Sequence, residues 1–240
     1  MKRKLSSDND DDDEDYTLGE SFDARLKTPF CMVISGNNQS GKTSFTIELL
    51  KNRNLLIDND FEKIVYFYGI KTPNVKILRN MGVICVQGLP AQGDFSMFTG
   101  NKEDHKLFIF DDMIQAITNN EKVTEFVFNS LHHELCSIIF TTQDLFLKSK
   151  YRLTLTRQAH YFVLMKSVLD KEQIVFFARK FAPHNHKQTM EMFEKMLSET
   201  QFSYIFADGR TTTPDDARLR WDIFNKVVMK TIYPKKRGYN

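Results

Sequence analysis

Residues 30–43 read Phe30-Cys31-Met32-Val33-Ile34-Ser35-Gly36-Asn37-Asn38-Gln39-Ser40-Gly41-Lys42-Thr43, and the chain continues Ser44-Phe45-Thr46-Ile47-Glu48-Leu49-Leu50. A short apolar run, a turn bounded by two glycines and a helix-compatible run follow one another directly, which predicts strand, loop and helix. The loop fits the spacing G-x-x-x-x-G-K-S/T, a match that chance supplies in about one chain in a hundred of this length at ordinary residue frequencies. Its place between strand and helix makes it far more specific. Gly36 and Gly41 permit turns that a Cβ would obstruct, so the N–H groups from Asn38 to Thr43 are expected to converge on phosphates at the positive end of the helix. Lys42 is expected to neutralise the β- and γ-phosphates and the Thr43 hydroxyl to ligate Mg²⁺. The expected ATP-binding set is Gly36, Asn37, Asn38, Gln39, Ser40, Gly41, Lys42, Thr43 and Ser44. The alternative, a glycine-rich turn without a ligand, leaves the flanking strand and helix unexplained.

Such a loop needs an acidic partner, and Leu107-Phe108-Ile109-Phe110-Asp111-Asp112 supplies one: four apolar residues of a buried strand ending in two carboxylates. Buried apolar runs rarely carry adjacent carboxylates without a use for them. Asp111 is expected to reach the Mg²⁺ shell through water, and Asp112, facing the other way by strand alternation, to polarise the attacking water. A surface turn opening with two aspartates is the plainer reading. Lys42 and Asp111 stand 69 positions apart, room for two strand-helix units, so another strand is expected between the loop strand and the acidic strand. Together with the second acid this marks a P-loop NTPase with an additional catalytic acid, and it favours hydrolysis over phosphate transfer.

The strand Cys136-Ser137-Ile138-Ile139-Phe140-Thr141-Thr142 leads into Gln143, at the carboxyl edge where ligands of open α/β sheets bind. Gln143 could sense the γ-phosphate or orient the water; it could equally be a strand-end glutamine without a role. Arg152 and Arg157 follow in a basic stretch, and either could act as an arginine finger offered to a neighbouring subunit, or lie on the surface. His132 and His133 are adjacent, face different directions on a helix and have no third ligand near, so zinc is discounted.

Outward from these motifs, apolar β-branched and aromatic runs alternate with longer helix-compatible ones, predicting an α/β fold: a mostly parallel twisted sheet flanked by helices. Strands are expected at 31–35, 63–68, 83–87, 106–110, 137–142, 159–166 and 203–207, and helices at 42–52, 119–133, 171–181 and 187–199. Residues 89–104 read as an inserted loop. Met190, Phe193, Met196 and Leu197 form a stripe at helical spacing that fits a core face better than a partner groove.

The net charge of +2 hides an asymmetry. Residues 1–20 carry three basic and eight acidic side chains, and the last fifteen carry five basic and none acidic. The expected organisation is a disordered acidic tail over 1–20, one P-loop ATPase domain over 21–225 and a basic tail over 226–240. The middle is near neutral, so composition leaves a nucleic-acid partner open. No apolar run reaches the length of a membrane span and no leader-like stretch opens the chain, so a soluble, unexported protein without a membrane span is expected. Cys31, Cys85 and Cys136, odd in number and without C-x-x-C spacing, read as reduced core thiols.

The motif order Gly36-Asn37-Asn38-Gln39-Ser40-Gly41-Lys42-Thr43, then Ile109-Phe110-Asp111-Asp112-Met113, then 132–146, 151–167 and 213–220, resembles the genome-packaging ATPases of double-stranded DNA viruses and of virus-like Maverick/Polinton elements, within the FtsK/HerA superfamily. The resemblance covers roughly residues 28–225 and is most specific from His132 to Lys166. It implies Lys42 and Thr43 on ATP and Mg²⁺, Asp111 and Asp112 as the acidic pair, Gln143 as the sensor amide and Arg152 as the subunit-facing arginine. It also implies double-stranded DNA, a homo-oligomeric ring with a hexamer favoured, capsid or portal-vertex proteins as partners, and a place in the host nucleus, a cytoplasmic virus factory or the virion. Two departures stand out: Asp112 where many members have glutamate, and Thr156 where asparagine is expected. Rival readings are a helicase or translocase ATPase of a mobile element, a nucleotide-gated interaction module recruiting partners through its tails, and a small-molecule kinase.

Overall fold

The computed structural model describes residues 22–133, 135–143, 158–167, 171–181, 186–199, 203–224 and 230–231. Its elements in order are β1 (Cys31–Ser35), α1 (Lys42–Lys51), α2 (Arg53–Leu56), β2 (Lys63–Tyr68), α3 (Pro73–Asn80), β3 (Ile84–Gln87), α4 (Ser96–Thr99), β4 (Lys106–Asp111), α5 (Ile114–Thr118) and α6 (Glu121–His133). There follow β5 (Cys136–Thr142), β6 (Tyr161–Met165), α7 (Lys171–Phe181), α8 (His186–Glu199), β7 (Tyr204–Asp208), β8 (Leu219–Trp221) and β9 (Lys230–Thr231).

All nine strands form one sheet in the order β3-β2-β4-β5-β1-β6-β7-β8-β9. The strands from β3 to β6 in that order run parallel, and β7, β8 and β9 add antiparallel pairs. A parallel sheet is covered on both faces, which is why β1 and β5 are buried at every residue. Alternation sorts the core into two clusters. Met32, Ile34, Tyr66, Ile109 and Ile139 pack with α1 and α3 through Phe45, Leu49, Val75 and Leu78. Val33, Phe67, Phe108, Phe110 and Phe140 pack with α6, α7 and α8 through Val123, Val127, Phe177 and Phe193.

The strand expected between loop strand and acidic strand is present, and it is β5, which the chain supplies only after both. The register sets Ser35 beside Thr142 and Thr141 beside Asp111, so the three strands end together.

Several elements depart from the sequence expectation. The helix α3 is short, begins at Pro73 and buries Val75 and Leu78, a pattern too brief to rise above its polar surroundings. Within the expected loop 89–104, Ala91–Gly93 and α4 are helical turns. They bring Phe95 and Phe98 to 5.5 and 5.4 Å from the Phe67 ring, so aromatic burial overrides local polarity. Cys31 and Cys136 are buried thiols outside any disulfide, whereas Cys85 on the edge strand β3 is only half-buried. The strands β8 and β9 are too short for a periodicity reading, and β9 falls within the segment read as basic tail.

The segment 213–220 has a structural explanation. Asp208 is fully buried and pairs with Arg210 at 2.7 Å and with the buried Arg220 at 2.9 Å. Arg220 also donates to the carbonyls of Ala217 and Ala24 at 2.7 and 2.8 Å, tying the incoming chain to β8. Asp208 lies in register with Tyr161, at the start of β6, so this network closes the sheet edge opposite the phosphate-loop end.

Candidate nucleotide-binding site

The loop between β1 and α1 is held from three sides. Gly36 N donates to Thr142 O at 3.1 Å, fixing its start to the end of β5. The Asn37 side-chain amide donates to Ser167 Oγ at 2.8 Å, and Ser35 Oγ donates to Gln173 Oε1 at 3.1 Å, tying the loop to the chain after β6 and to α7. Gln39 and Gly41 both take left-handed backbone, φ 62° and 100°, which turns the chain sharply into α1. At Gly36 the requirement for glycine is steric: a Cβ would lie 2.5 Å from Ser40 Oγ and 2.7 Å from Met165 Cβ.

The donors gather inside this turn. Lys42 folds its ammonium back over the loop, donating to Gly36 O at 2.5 Å and Asn37 O at 3.0 Å. Burial pushes that ammonium below the ordinary lysine range, and the charges of Asp112 and Asp111 oppose the push, so the lysine and both acids share one electrostatic neighbourhood. Thr43 is half-buried in the first turn of α1 and Ser44 is exposed beside it. The first turn of α1 carries no acidic side chain, and N–H groups at a helix start lack intrahelical acceptors. Ser40 Oγ is buried and without a hydrogen-bond partner among the described residues.

Across the gap, Asp111 ends β4 with both carboxylate oxygens engaged: Tyr66 donates to Oδ2 at 2.5 Å and Thr141 to Oδ1 at 2.7 Å. Burial first, then the charge and hydrogen bond of Asp111, push the Tyr66 phenol far above its usual range, so it acts as a donor. Asp112 lies past the strand end. Its backbone is left-handed, φ 54°, its N–H donates to Thr141 Oγ1 at 2.9 Å, and its exposed carboxylate accepts from Gln143 Nε2 at 2.8 Å. Simple strand alternation therefore does not aim Asp112; a single-residue left-handed turn does. Aspartate tolerates that conformation better than most residues.

The structure thus brings Lys42, Asp111, Asp112 and Gln143 to one carboxyl edge. Arg152 and Arg157 lie outside the described residues, as do the acidic tail, most of the basic tail, and the side chains of His132 and His133. Sequence reading missed Tyr66, Thr141, Ser167 and Gln173. Thr141 stood inside the quoted strand, two before Gln143; nothing in the sequence singled out the other three.

Among the described residues the donor set suits a phosphate chain with a divalent cation: a hydroxyl without a partner, an ammonium folded onto loop carbonyls, helix-start N–H groups that lack intrahelical acceptors, and two carboxylates opposite. Strand order and loop geometry decide the class. This is a P-loop NTPase fold. No protein-family model and no curated protein matches the sequence. Among solved structures, the chain is similar to B204, the DNA-packaging ATPase from Sulfolobus Turreted Icosahedral Virus, at 15% identity over 76% of this chain and 94% of that one, with a TM-score of 0.45. It is similar to B204 from Sulfolobus turreted icosahedral virus 2 in complex with ATP-gammaS at 14% identity over 77% and 95%, TM-score 0.47. It is also similar to the flagellar accessory protein FlaH from Methanocaldococcus jannaschii at 13% identity over 58% and 72%, TM-score 0.42. Among the described residues no helix is long and apolar enough to cross a membrane.

Proposed function

We propose that this chain is an ATP-hydrolysing motor that moves double-stranded viral DNA into a preformed capsid, acting as a ring of identical subunits with a hexamer favoured. One observation carries the hydrolytic part. The end of β5 touches both acids, through Thr141 on Asp111 and Gln143 on Asp112, opposite Lys42. The DNA and capsid part rests on the motif order from His132 to Lys166 and its resemblance to packaging ATPases.

In this reading the loop from Gly36 to Ser44 cradles the ATP phosphates, and the Thr43 hydroxyl and Asp111 hold Mg²⁺. When bound, Mg²⁺ supplies electrophilic stabilisation of the phosphoryl oxygens. Lys42 releases the loop carbonyls and neutralises charge developing on the γ-phosphate. Asp112, exposed and left-handed, accepts the proton of the attacking water, while Gln143 orients that water. Arg152 reaches in from the neighbouring subunit, so turnover requires the ring, working in the nucleus or a cytoplasmic virus factory. An Arg152→Ala protein that keeps full activity removes Arg152 from this role and leaves Arg157 as the residue to test.

The reading is tested by sizing the protein with ATP and duplex DNA. A nucleotide- and DNA-dependent ring is expected. A monomer under every condition contradicts it.

A further inference from the structure

We propose that Tyr66 is a positioning residue whose hydroxyl fixes the carboxylate of Asp111 for the nucleotide-bound divalent cation, an inference that rests on the ATP and Mg²⁺ reading of this site.

Tyr66 sits on β2, the strand next to the acidic strand, in register with Ile109 and two residues short of the level of Asp111. Its side chain leans along the strand direction, and its hydroxyl reaches Asp111 Oδ2 at 2.5 Å. The ring is 1% exposed and stacks on Tyr68 at 5.9 Å, so the hydroxyl's position is set by packing. Thr141, from β5 on the other side of β4, donates to Oδ1 at 2.7 Å. Asp111 is therefore gripped from both flanking strands, one donor on each oxygen.

The chemistry of the sheet shows why the hydroxyl matters. The face of the sheet that carries Tyr66 is lined by apolar side chains, Met32, Ile34, Ile109 and Ile139 among them. A phenylalanine at 66 would fill the same ring volume without a polar group to satisfy. A buried phenol needs an acceptor, and the acceptor here is the carboxylate expected to serve the metal. With one donor on each oxygen, the carboxylate plane is fixed and each oxygen keeps further acceptor capacity. A carboxylate so held would meet a bound cation's shell already ordered, whereas a free one rotates and pays the ordering entropy on binding.

The test uses the full chain, ATPγS as the nucleotide and Mn²⁺ as a spectroscopic stand-in for Mg²⁺. Four proteins are compared: wild type, Tyr66→Phe, Asp111→Asn and the double variant. Loss of an outer partner typically weakens metal binding roughly tenfold to a hundredfold, so Tyr66→Phe should weaken Mn²⁺ binding to the ATPγS complex by about tenfold while keeping metal-free ATPγS affinity within about twofold. The Tyr66→Phe effect should vanish in the Asp111→Asn background, as a coupled pair requires. Should Tyr66→Phe fail to fold, wild type with carbon-labelled tyrosine gives a second reading: the Tyr66 ring resonance should shift when Mg²⁺ is added to the ATPγS complex. Unchanged Mn²⁺ affinity in Tyr66→Phe, an equal loss in both backgrounds, or a Tyr66 resonance that Mg²⁺ leaves unmoved overturns the positioning role alone. Wild type that binds no ATPγS overturns the nucleotide reading and this inference with it.

Discussion

Gln143 Nε2 donates to Asp112 Oδ2 at 2.8 Å, so the amide that follows β5 and the second acid beyond β4 form a pair. The pair spans two neighbouring strands whose ends are matched by register, with Asp111 beside Thr141. A single left-handed residue then lifts Asp112 out of the strand and into reach of the amide.

That pairing separates binding from turnover. Asp112→Asn is expected to lower the rate of ATP hydrolysis by about 10² to 10⁴, the usual contribution of a general base, while ATPγS binding is retained. Phosphate release and nucleotide titration on the same preparation check it. Loss of binding in parallel with turnover would move Asp112 from the chemistry to the architecture of the site.

The loop start is sterically closed. Gly36→Ala is expected to cost about 1–3 kcal/mol, the range for forcing an atom into a packed position, and to abolish nucleotide binding. Ser40→Gly should not rescue it, because Met165 Cβ would still stand 2.7 Å from the new methyl. Urea unfolding of the single and double variants decides the point.

At the far edge, stability should depend on Asp208. Burial alone would raise its carboxyl, but hydrogen bonds and charge from Arg210, with the charge of Arg220, hold it below the ordinary carboxylate range. A lowered folded value means stabilisation that is present above the unfolded value and lost as pH falls through the folded one. Asp208→Asn leaves Arg220 buried without its counter-charge, so a loss of about 3–5 kcal/mol is expected at pH 7. The gap from wild type should narrow as pH drops below about 3.9, the ordinary aspartate value. Thermal unfolding from pH 7 downward measures it; a pH-independent gap would contradict the assignment.

How much of this was legible beforehand follows from the range of the interactions. The phosphate loop and the acid pair are local: Gly36 to Thr43 and Leu107 to Asp112 each carry their signal within a few residues, and the structure places them at the ends of β1 and β4, one on each side of β5. Tyr66 on Asp111 spans 45 residues and Gln173 on Ser35 spans 138, contacts that depend on strand order and leave no periodic trace in the chain. Strand order itself was half legible. Spacing predicts a strand between the loop strand and the acidic strand, but not that the chain supplies it after both, as β5. Phe95 and Phe98 were hidden for the opposite reason: their polar neighbours spoke for a loop while the Phe67 ring across the gap decided otherwise.

The claim that matters most is that hydrolysis at this site drives movement on duplex DNA. The direct measurement is the rate of ATP hydrolysis by the purified full chain with Mg²⁺, with and without double-stranded DNA, across a salt series. DNA should clearly stimulate hydrolysis at low salt, the stimulation should fade steeply as salt rises, as phosphate contacts require, and Asp112→Asn should abolish it. A hydrolysis rate indifferent to DNA at every salt concentration would contradict it.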